Sequence, residues 1–261
     1  MYTLKPKKYL GQHFLTENAI AQKIVNSLTC ECYNNVLEIG PGKGILTKFL
    51  LNKNFNTYVI EIDPEAINIL INTININKEK IIEGDFLKVE LNSLFKEQTA
   101  IIGNFPYNIS SQIIIKIIEN KAIIPEVIGM FQKEVAKRIV AKPNTKEYGI
   151  LSVLTQAYYK TEYLFTVNEG CFFPRPKVKS GLIRLKRINQ NLLKCNEILF
   201  NQLVKTAFNQ RRKILKNSLS KLNFSFATAD HNIKDLMHMR AEQLTVENFI
   251  TLTKYIESQS S

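Results

Sequence analysis

The stretch Val36-Leu37-Glu38-Ile39-Gly40-Pro41-Gly42-Lys43-Gly44 decides the fold class of this chain. Val36–Ile39 is mostly apolar, as in a short buried strand, and it ends abruptly in a turn with glycine at every second position. Glycines directly after a strand let the backbone approach a ligand at the carboxyl end of that strand. The spacing differs from the G-x-G-x-x-G that seats a dinucleotide pyrophosphate. The stretch therefore predicts a ligand-binding turn in an α/β fold.

Short apolar runs alternate with helical patterns along the first two-thirds of the chain. After the glycine-rich turn, a helix is predicted over about residues 45–51. The further strands predicted are Thr57–Ile62, Lys80–Glu83, Ala100–Gly103 and Val127–Phe131, and a second helix is predicted over Ser110–Glu119. Strands that alternate with helices are typical of an α/β fold with a parallel, doubly wound sheet.

The pattern changes in the last third of the chain. Extended segments between about residues 164 and 188 are broken by Pro174 and Pro176, and only helical patterns follow from Asn189 onward. These helices are predicted over about residues 198–209, 214–222, 233–237 and 246–256. The sequence therefore predicts two domains, an α/β domain of residues 1–190 and a small all-helical domain of residues 191–261.

Acidic side chains end the second and third predicted strands. Glu61 follows Gly40 by 21 positions, and a carboxylate there suits the hydroxyl groups of a ribose. Asp85 follows the third strand, where it can accept a hydrogen bond from an adenine amino group. Each residue alone is more typical of a helix cap or a solvated turn. Together with the glycine spacing they indicate an adenosine-containing ligand without a pyrophosphate, such as S-adenosylmethionine.

The fourth predicted strand ends in Asn104-Phe105-Pro106-Tyr107. The amide oxygen of Asn104 and the main-chain carbonyl of Phe105 can both accept hydrogen bonds from one exocyclic amino group. The ring of Tyr107 can lie against the heterocycle that carries this group. A plain turn at Pro106 is the alternative for the tetrapeptide alone. Next to a site for S-adenosylmethionine, it predicts an enzyme that acts on the amino nitrogen of a base.

The positive charge of the chain is concentrated in one segment. Between Cys171 and Ala229 there are 13 lysines and arginines and a single acidic residue, Glu197, so this segment alone accounts for the formal net charge of +12. A solvated surface usually intersperses both signs, and a segregated basic segment indicates a polyanionic partner. A basic face kept for solubility is the alternative. We expect a nucleic acid, bound mainly through its phosphates.

Several other classes of protein are not expected. Neither a signal peptide nor a membrane span is apparent. The four cysteines have neither zinc-site spacing nor the density of a disulfide scaffold, and three histidines do not suggest a metal site. The sequence therefore predicts a cytoplasmic protein without a metal.

Eight motifs together resemble those of the small-subunit (16S-type) ribosomal RNA adenine-N6,N6-dimethyltransferases over nearly the whole chain. They are Leu10–Leu15, Glu38–Gly44, Val59–Asp63, Gly84–Phe86, Gly103–Ser110, Gln132–Arg138, Phe173–Val178 and Ala207–Lys213. The resemblance implies a Rossmann-like class I methyltransferase domain followed by a small helical domain that binds rRNA. The implied substrate is a pair of adjacent adenosines in the 3′-terminal hairpin loop of small-subunit rRNA, in the RNA or the immature subunit. A monomer is expected.

The resemblance also implies roles for individual residues. The residues implied to bind S-adenosylmethionine are His13, Leu15, Gly40, Glu61, Asp85 and Asn104. Asn104-Phe105-Pro106-Tyr107 would be catalytic, and the base would stack between Tyr107 and either Phe172 or Phe173. The residues expected to contact RNA are Arg175, Lys177, Arg211, Arg212 and Lys213. The chain departs from many relatives at His13, where they carry Asn, and at Lys179, where they carry an acidic residue.

Three other functions share part of this pattern. The large-subunit rRNA dimethyltransferases that confer macrolide resistance share the cofactor motifs, but the Phe208–Lys213 cluster favours the small-subunit type. A non-catalytic nucleic-acid-binding factor on the same scaffold is disfavoured by the intact Gly40, Glu61, Asp85 and Asn104. A nicotinamide oxidoreductase is disfavoured by the glycine spacing.

Overall fold

The computed structural model describes residues 4–188, 193–220, 226 and 229–259. The chain forms two compact units, residues 1–137 with 160–187 and residues 138–159 with 188–261. The domain boundary predicted between residues 190 and 191 falls outside the described residues. Residues 138–159 group with the C-terminal helices, whereas the predicted division placed them in the first domain, and long-range hydrogen bonds accompany this grouping. The hydroxyl of Tyr148 donates to the carbonyl of Leu244 at 2.9 Å, and the amide of Asn144 donates to the carbonyl of Glu242 at 2.8 Å.

Nine strands are present among the described residues. They are β1 (Phe14–Leu15), β2 (Asn35–Ile39), β3 (Asn56–Glu61), β4 (Ile81–Glu83), β5 (Thr99–Asn104), β6 (Glu126–Gln132), β7 (Tyr159–Val167), β8 (Phe172–Phe173) and β9 (Ser180–Arg187). Seven of them form one sheet in the order β4-β3-β2-β5-β6-β9-β7, and β1 pairs with β8 in a separate two-stranded sheet.

The helices of the described residues are all short or of medium length. They are α1 (Asn18–Val25), α2 (Thr47–Leu50), α3 (Pro64–Ile69), α4 (Leu91–Leu94), α5 (Ser110–Glu119), α6 (Lys133–Ile139), α7 (Ile150–Gln156), α8 (Glu197–Asn209), α9 (Leu215–Ser218), α10 (His231–His238) and α11 (Val246–Gln259). Within the described part of the chain, none of them has both the length and the apolar composition needed to cross a bilayer.

The α/β fold class predicted from the sequence is confirmed. Strands β2 to β6 pair in parallel, with β3 and β5 on either side of β2. The order of the strands therefore reverses at β2 and β5, and in doubly wound sheets ligands bind outside the carboxyl ends of the strands at such a point. Strand β9 departs from the predicted parallel arrangement, because it pairs with β6 in the antiparallel direction.

The core at this edge of the sheet is built around Phe105. Its ring is 1% exposed and meets the ring of Phe131 edge-on at 5.1 Å. It fills space left by two glycines, because a Cβ at Gly103 or Gly129 would lie only 2.7 Å or 2.6 Å from the Phe105 ring. Such close contacts cannot be accommodated in a packed interior. The side chain of Phe105 is therefore a structural element that fixes the turn after β5.

The second unit consists of helices, as the sequence predicted. Helix α8 begins at Asn196, whose side chain accepts hydrogen bonds from the amides of Ile198 and Leu199 at 3.0 and 3.1 Å, a typical helix cap. Helix α9 covers only part of the predicted 214–222 helix, whose last two residues lie outside the described residues.

Candidate active site

A cavity of about 230 Å³ lies at the carboxyl ends of β2 to β5. It is lined by five of the six residues predicted to bind a cofactor: His13, Gly40, Glu61, Asp85 and Asn104. Leu15 does not line it, because its side chain is 4% exposed and packs in the hydrophobic core. The strand-end residues singled out in the sequence are thus gathered at one place by the parallel sheet.

Glu61 fixes the backbone around the glycine-rich turn. Its Oε2 accepts from the amide of Gly42 at 3.1 Å, and its Oε1 accepts from the amides of Ile62 and Asp63 at 2.8 and 2.9 Å. Burial raises the pKa of the Glu61 carboxyl, although these three hydrogen bonds oppose the shift. A carboxylate can accept about four hydrogen bonds, so Oε2 keeps one acceptor position for a ligand hydroxyl.

Asp85 also has acceptor capacity left. Its Oδ1 accepts from the amide of Leu87 at 3.0 Å, and no hydrogen bond from another described residue reaches its Oδ2. The cavity wall between Glu61 and Asp85 includes the apolar residues Ile62 and Phe86. The sequence reasoning missed Ile62, although a bulky apolar residue directly after a strand-end acid, here 48% exposed, is a usable signal for a flat apolar ligand surface.

Asn104 is oriented by the main chain of His13. Its Nδ2 donates to the carbonyl oxygen of His13 at 2.7 Å. Because a carbonyl oxygen only accepts hydrogen bonds, this contact assigns the two ends of the amide and leaves Oδ1 as the free acceptor. The main-chain carbonyl of Phe105 likewise accepts no hydrogen bond from a described residue. Two unpaired acceptors therefore belong to consecutive residues, Asn104 and Phe105.

Tyr107 is held at both its hydroxyl and its ring. The hydroxyl lies 2.6 Å from Oγ of Ser180, and the ring stacks on the imidazole of His13 at a centroid distance of 5.4 Å. Burial raises the pKa of the Tyr107 hydroxyl above its ordinary value, and the hydrogen bond with Ser180 opposes the shift. His13 occupies one face of the ring, so a base would stack on the opposite face.

His13 joins three parts of the site. Its Nδ1 lies 2.7 Å from the carbonyl oxygen of Pro174, which requires the proton on Nδ1. Its ring contacts Tyr107 and its main-chain carbonyl holds Asn104. The sequence identified His13 only as a cofactor contact, whereas the structure also makes it a bridge between the segment before β1 and the loop after β8.

The two phenylalanines proposed to cover a base differ in exposure. Phe172 is 4% exposed and belongs to the core with Leu15, its partner in the β1–β8 pair. Phe173 is 57% exposed, and Nζ of Lys43 lies 5.9 Å from the centre of its ring. The structure therefore leaves Phe173 as the accessible aromatic residue and gives Phe172 a packing role.

The basic residues expected to contact RNA fall into two groups. Arg211 is engaged inside the second unit, with Nε 2.6 Å from Oε2 of Glu242 and Nη2 3.1 Å from the carbonyl oxygen of Thr145. The others are exposed: Arg175, Lys177, Arg212 and Lys213. Of these, Arg175 forms an ion pair with Glu169 at 2.7 Å while its side chain stays 68% exposed. Arg211 is therefore a structural residue in this arrangement.

Glu38 is a buried carboxyl just before the glycine-rich turn. It is 2% exposed, and its Oε2 accepts from the hydroxyl of Thr47 at 2.7 Å. Burial raises the pKa of Glu38 from an ordinary 4.5 to about 8, with the Thr47 hydrogen bond opposing and the charge of Glu61 adding to the shift. The protonated form is therefore favoured in the folded protein.

This raised pKa makes folding stability depend on pH. Between pH 4.5 and about 8 the folded protein holds a proton that the unfolded chain releases, so the contribution of Glu38 to the free energy of unfolding falls as pH rises. Relative to Glu38→Gln, wild-type stability should fall by about 1.4 kcal/mol per pH unit in this window. Urea denaturation at several pH values between 4.5 and about 8 measures this slope. Glu79→Gln, at an exposed position, is the control. Parallel stability curves for wild type and Glu38→Gln would contradict the assignment.

No group of three or more His, Cys, Asp or Glu side chains arranged to hold a metal ion occurs within residues 4–188, 193–220, 226 and 229–259. The polar groups of the cavity include the carboxylates of Glu61 and Asp85 and the amide of Asn104.

The chain is similar to known proteins over its whole length. The family model described as "Ribosomal RNA adenine dimethylase" matches residues 3–258. Proteins named "Ribosomal RNA small subunit methyltransferase A" are 54% identical in Flavobacterium johnsoniae, over 99% of this chain and 98% of that protein, and 51% identical in Cytophaga hutchinsonii, over 99% and 100%.

Two solved structures are similar as well. A dimethyladenosine transferase from Plasmodium falciparum superposes with a TM-score of 0.80 and 25% identity, covering 95% of this chain and 98% of that one. The 23S rRNA methyltransferase ErmE superposes with a TM-score of 0.69 and 25% identity, covering 92% and 99%. With a family model that spans nearly every residue and relatives above 50% identity, the chain belongs to the ribosomal RNA adenine dimethylase family.

Proposed function

We propose that this protein transfers methyl groups from S-adenosylmethionine to the N6 amino groups of two adjacent adenosines in the 3′-terminal hairpin loop of small-subunit rRNA. The observation that carries the proposal is the contact between Asn104 and His13, because it leaves Oδ1 of Asn104 and the carbonyl of Phe105 as neighbouring acceptors. The names of relatives at 54% and 51% identity support the small subunit as the source of the RNA.

The residues of the cavity fit S-adenosylmethionine. The remaining acceptor position on Glu61 suits a ribose hydroxyl, and the unpaired Oδ2 of Asp85 suits the adenine amino group. Gly40 lines the cavity with a φ of +65°, and nothing lies within 4 Å of where its Cβ would be, which allows a ligand to approach the backbone. When bound, this cofactor supplies a methyl group on a sulfonium, which is an excellent leaving group.

The protein's own contribution is the placement of the amino group. The lone pair of an adenine amino nitrogen is delocalised into the ring, so this nitrogen is a weak nucleophile. If Oδ1 of Asn104 and the carbonyl of Phe105 accept its two N–H bonds, the lone pair turns out of the ring plane toward the methyl donor. The surplus proton then leaves to water, and no strong base is required.

The second methylation uses the same groups with one hydrogen bond fewer. After the first transfer the nitrogen carries one N–H bond, so either Asn104 or Phe105 loses its donor. Placement then depends more on stacking against Tyr107, which the hydrogen bond to Ser180 holds in place. A base that reaches this site must be unstacked from its neighbours, which costs least in a loop of RNA.

The exposed Phe173 is proposed to cover the base opposite Tyr107. Phe173→Ala should lower the catalytic efficiency toward RNA about 5- to 150-fold, the effect of losing one stacking contact, without lowering stability. Phe172→Ala should instead destabilise the fold by about 3–5 kcal/mol, because its ring lies in the core. Steady-state kinetics and urea denaturation on both variants test the assignment. It is wrong if Phe172→Ala loses activity with an unchanged denaturation midpoint.

Phosphate contacts are proposed for the exposed Arg212 and Lys213. The double variant Arg212→Ala/Lys213→Ala should flatten the dependence of log affinity on log salt by roughly 1.4–1.8, since each phosphate contact contributes about 0.7–0.9. Arg211→Ala is the contrasting variant, because its side chain is engaged with Glu242, and it should leave the slope nearly unchanged. Fluorescence anisotropy with a labelled RNA hairpin at several salt concentrations measures both. An unchanged slope in the double variant would remove these residues from the RNA surface.

A methyltransferase that acts on large-subunit rRNA is the second candidate, favoured by the similarity to ErmE. Transfer of labelled methyl to small and to large ribosomal subunits, each prepared from cells that lack the respective enzyme, separates the two. We expect label only in the small subunit, on two adjacent adenosines. Label confined to large subunits would overturn the proposal.

We further propose that the enzyme acts as a monomer in the cytoplasm on immature small subunits. The family of rRNA modifying enzymes to which the chain belongs supports an rRNA substrate. Comparing naked rRNA with partly assembled particles in the same transfer assay tests the substrate form.

A further inference from the structure

Residues 4–14, here called the N-terminal strap, form part of the cavity wall. Residues 9–14 of the strap line the cavity. Its two ends are anchored in one small hydrophobic cluster, in which Leu4 and Phe14 pack with Ala66 and Ile69 of α3. The strap is therefore fixed at both ends and passes beside the proposed methyl-transfer site.

A buried carboxylate holds the middle of the strap. Asp63, whose side chain is fully buried, accepts hydrogen bonds from Nζ of Lys7 at 2.7 Å and from Nε2 of Gln12 at 3.1 Å. The Oε1 of Gln12 accepts from the amide of Lys7 at 2.9 Å. Both ends of the Gln12 amide are thus used, and residues 7–12 form a closed loop on Asp63. We call Lys7, Gln12 and Asp63 the strap clamp.

The strap clamp contains an ion pair between Lys7 and Asp63. Burial alone would raise the pKa of Asp63, but the hydrogen bonds from Lys7 and Gln12 outweigh it and lower the pKa. The hydrogen bonds to Asp63 and Glu65 raise the pKa of Lys7. The ion pair is therefore charged throughout the neutral range, and a buried carboxylate with these donors is a firm anchor.

The N-terminal strap is also held in place at Gly11, next to the side chain of Asn108. Gly11 has a φ of +63°, and a Cβ there would lie 2.6 Å from Oδ1 of Asn108. One residue after the clamp, the carbonyl of His13 accepts the hydrogen bond from Nδ2 of Asn104. Gln12 and the close approach of Gly11 to Asn108 therefore help to fix that carbonyl, in addition to the contacts of the His13 ring with Pro174 and Tyr107.

We propose that Lys7, Gln12 and Asp63 are positioning residues for methyl transfer, which rests on the function proposed above. The clamp keeps the carbonyl of His13 where it assigns the orientation of the Asn104 amide. With that carbonyl displaced, the amide can rotate and present Nδ2, a donor, to the base. A donor facing the target amino group cannot accept from it, so one N–H bond keeps only a mismatched partner and the carbonyl of Phe105 alone holds the nitrogen.

The experiment compares Gln12→Ala with Gln22→Ala, an exposed glutamine on α1 that serves as the matched control. At saturating cofactor and RNA, Gln12→Ala should lower kcat about tenfold or more, the effect of losing hydrogen bonds to a charged group. Gln22→Ala should keep kcat at the wild-type value. Lys7→Met removes the ammonium but keeps Gln12, and it should lower kcat in the same way. It takes the place of Gln12→Ala if that variant does not fold.

A spectroscopic signature separates positioning from general loss of structure. In protein labelled with 15N-asparagine, Asn104→Ala identifies the side-chain amide signal of Asn104. In Gln12→Ala this signal should move toward the position of solvent-exposed amides, while the other asparagine signals and the melting temperature stay near those of wild type. An unchanged Asn104 signal, or an unchanged kcat despite a moved signal, overturns the proposal. Failure of the wild-type enzyme to methylate any rRNA would overturn the proposed function instead, and the amide signal would still report on the clamp.

Discussion

Replacement of Asn104 by alanine is expected to reduce methyl transfer to rRNA adenosine at least about a hundredfold, since a preorganised hydrogen-bonding group at the reacting atom is worth that much. Two contributions disappear together. Oδ1 no longer accepts from the amino group, and the hydrogen bond to the carbonyl of His13 is lost. The affinity for S-adenosylmethionine should stay measurable, because Glu61 and Asp85 are unchanged. Single-turnover methyl transfer and calorimetry measure the two effects.

The control for this variant is Asn34→Ala, an exposed asparagine just before β2. It should have wild-type turnover and wild-type cofactor affinity. Near-normal turnover in Asn104→Ala would show that the amide does not act on the amino group. Complete loss of cofactor binding would show that Asn104 serves the cofactor rather than the base.

Replacement of Glu61 by alanine is expected to weaken the binding of S-adenosylmethionine by about 10- to 100-fold, the worth of a hydrogen bond to a charged acceptor. The amides of Gly42, Ile62 and Asp63 also lose their shared acceptor, so the glycine-rich turn loses its fixed position. Both effects lower affinity, and the second also lowers the melting temperature. Isothermal calorimetry with the cofactor measures the affinity.

Glu83→Ala provides the matched control, because Glu83 lies beside Glu61 on the neighbouring strand β4 and is exposed. Its cofactor affinity should equal that of wild type. Unchanged affinity in Glu61→Ala would place the ribose elsewhere in the cavity. A salt-dependent loss of cofactor affinity that is equal in both variants would indicate a general electrostatic contribution to cofactor binding.

Much of the fold followed from local patterns. Strand β2 differs from its predicted bounds by one residue at its start and β5 by one residue at each end, because a buried parallel strand is a continuous apolar run that stops where polar turn residues begin. The antiparallel direction of β9 was not predicted. Local pattern marks a segment as extended but carries no information on the direction of its neighbour, which here is β6.

For the candidate site, the sequence identified some of the lining residues and missed others. Residues that directly follow strands were found, since the sheet brings the ends of its parallel strands to one edge. Leu15 was assigned to the cavity, but the pairing of β1 with β8 directs it into the core beside Phe172. The strap clamp could not be predicted, because nothing near Lys7 or Gln12 in the sequence indicates that Asp63 will be their partner.

The sequence by itself determined which chemical groups stand at the ends of the strands: the glycine-rich turn, Glu61, Asp85 and Asn104-Phe105-Pro106-Tyr107. Each follows an apolar run within a few residues, so short-range pattern is sufficient to find it. Only the tertiary structure decided which end of the Asn104 amide is free and which acidic residue pairs with Arg211. The partners that decide these points lie 91 and 31 residues away in the chain, and only packing brings them into hydrogen-bonding distance.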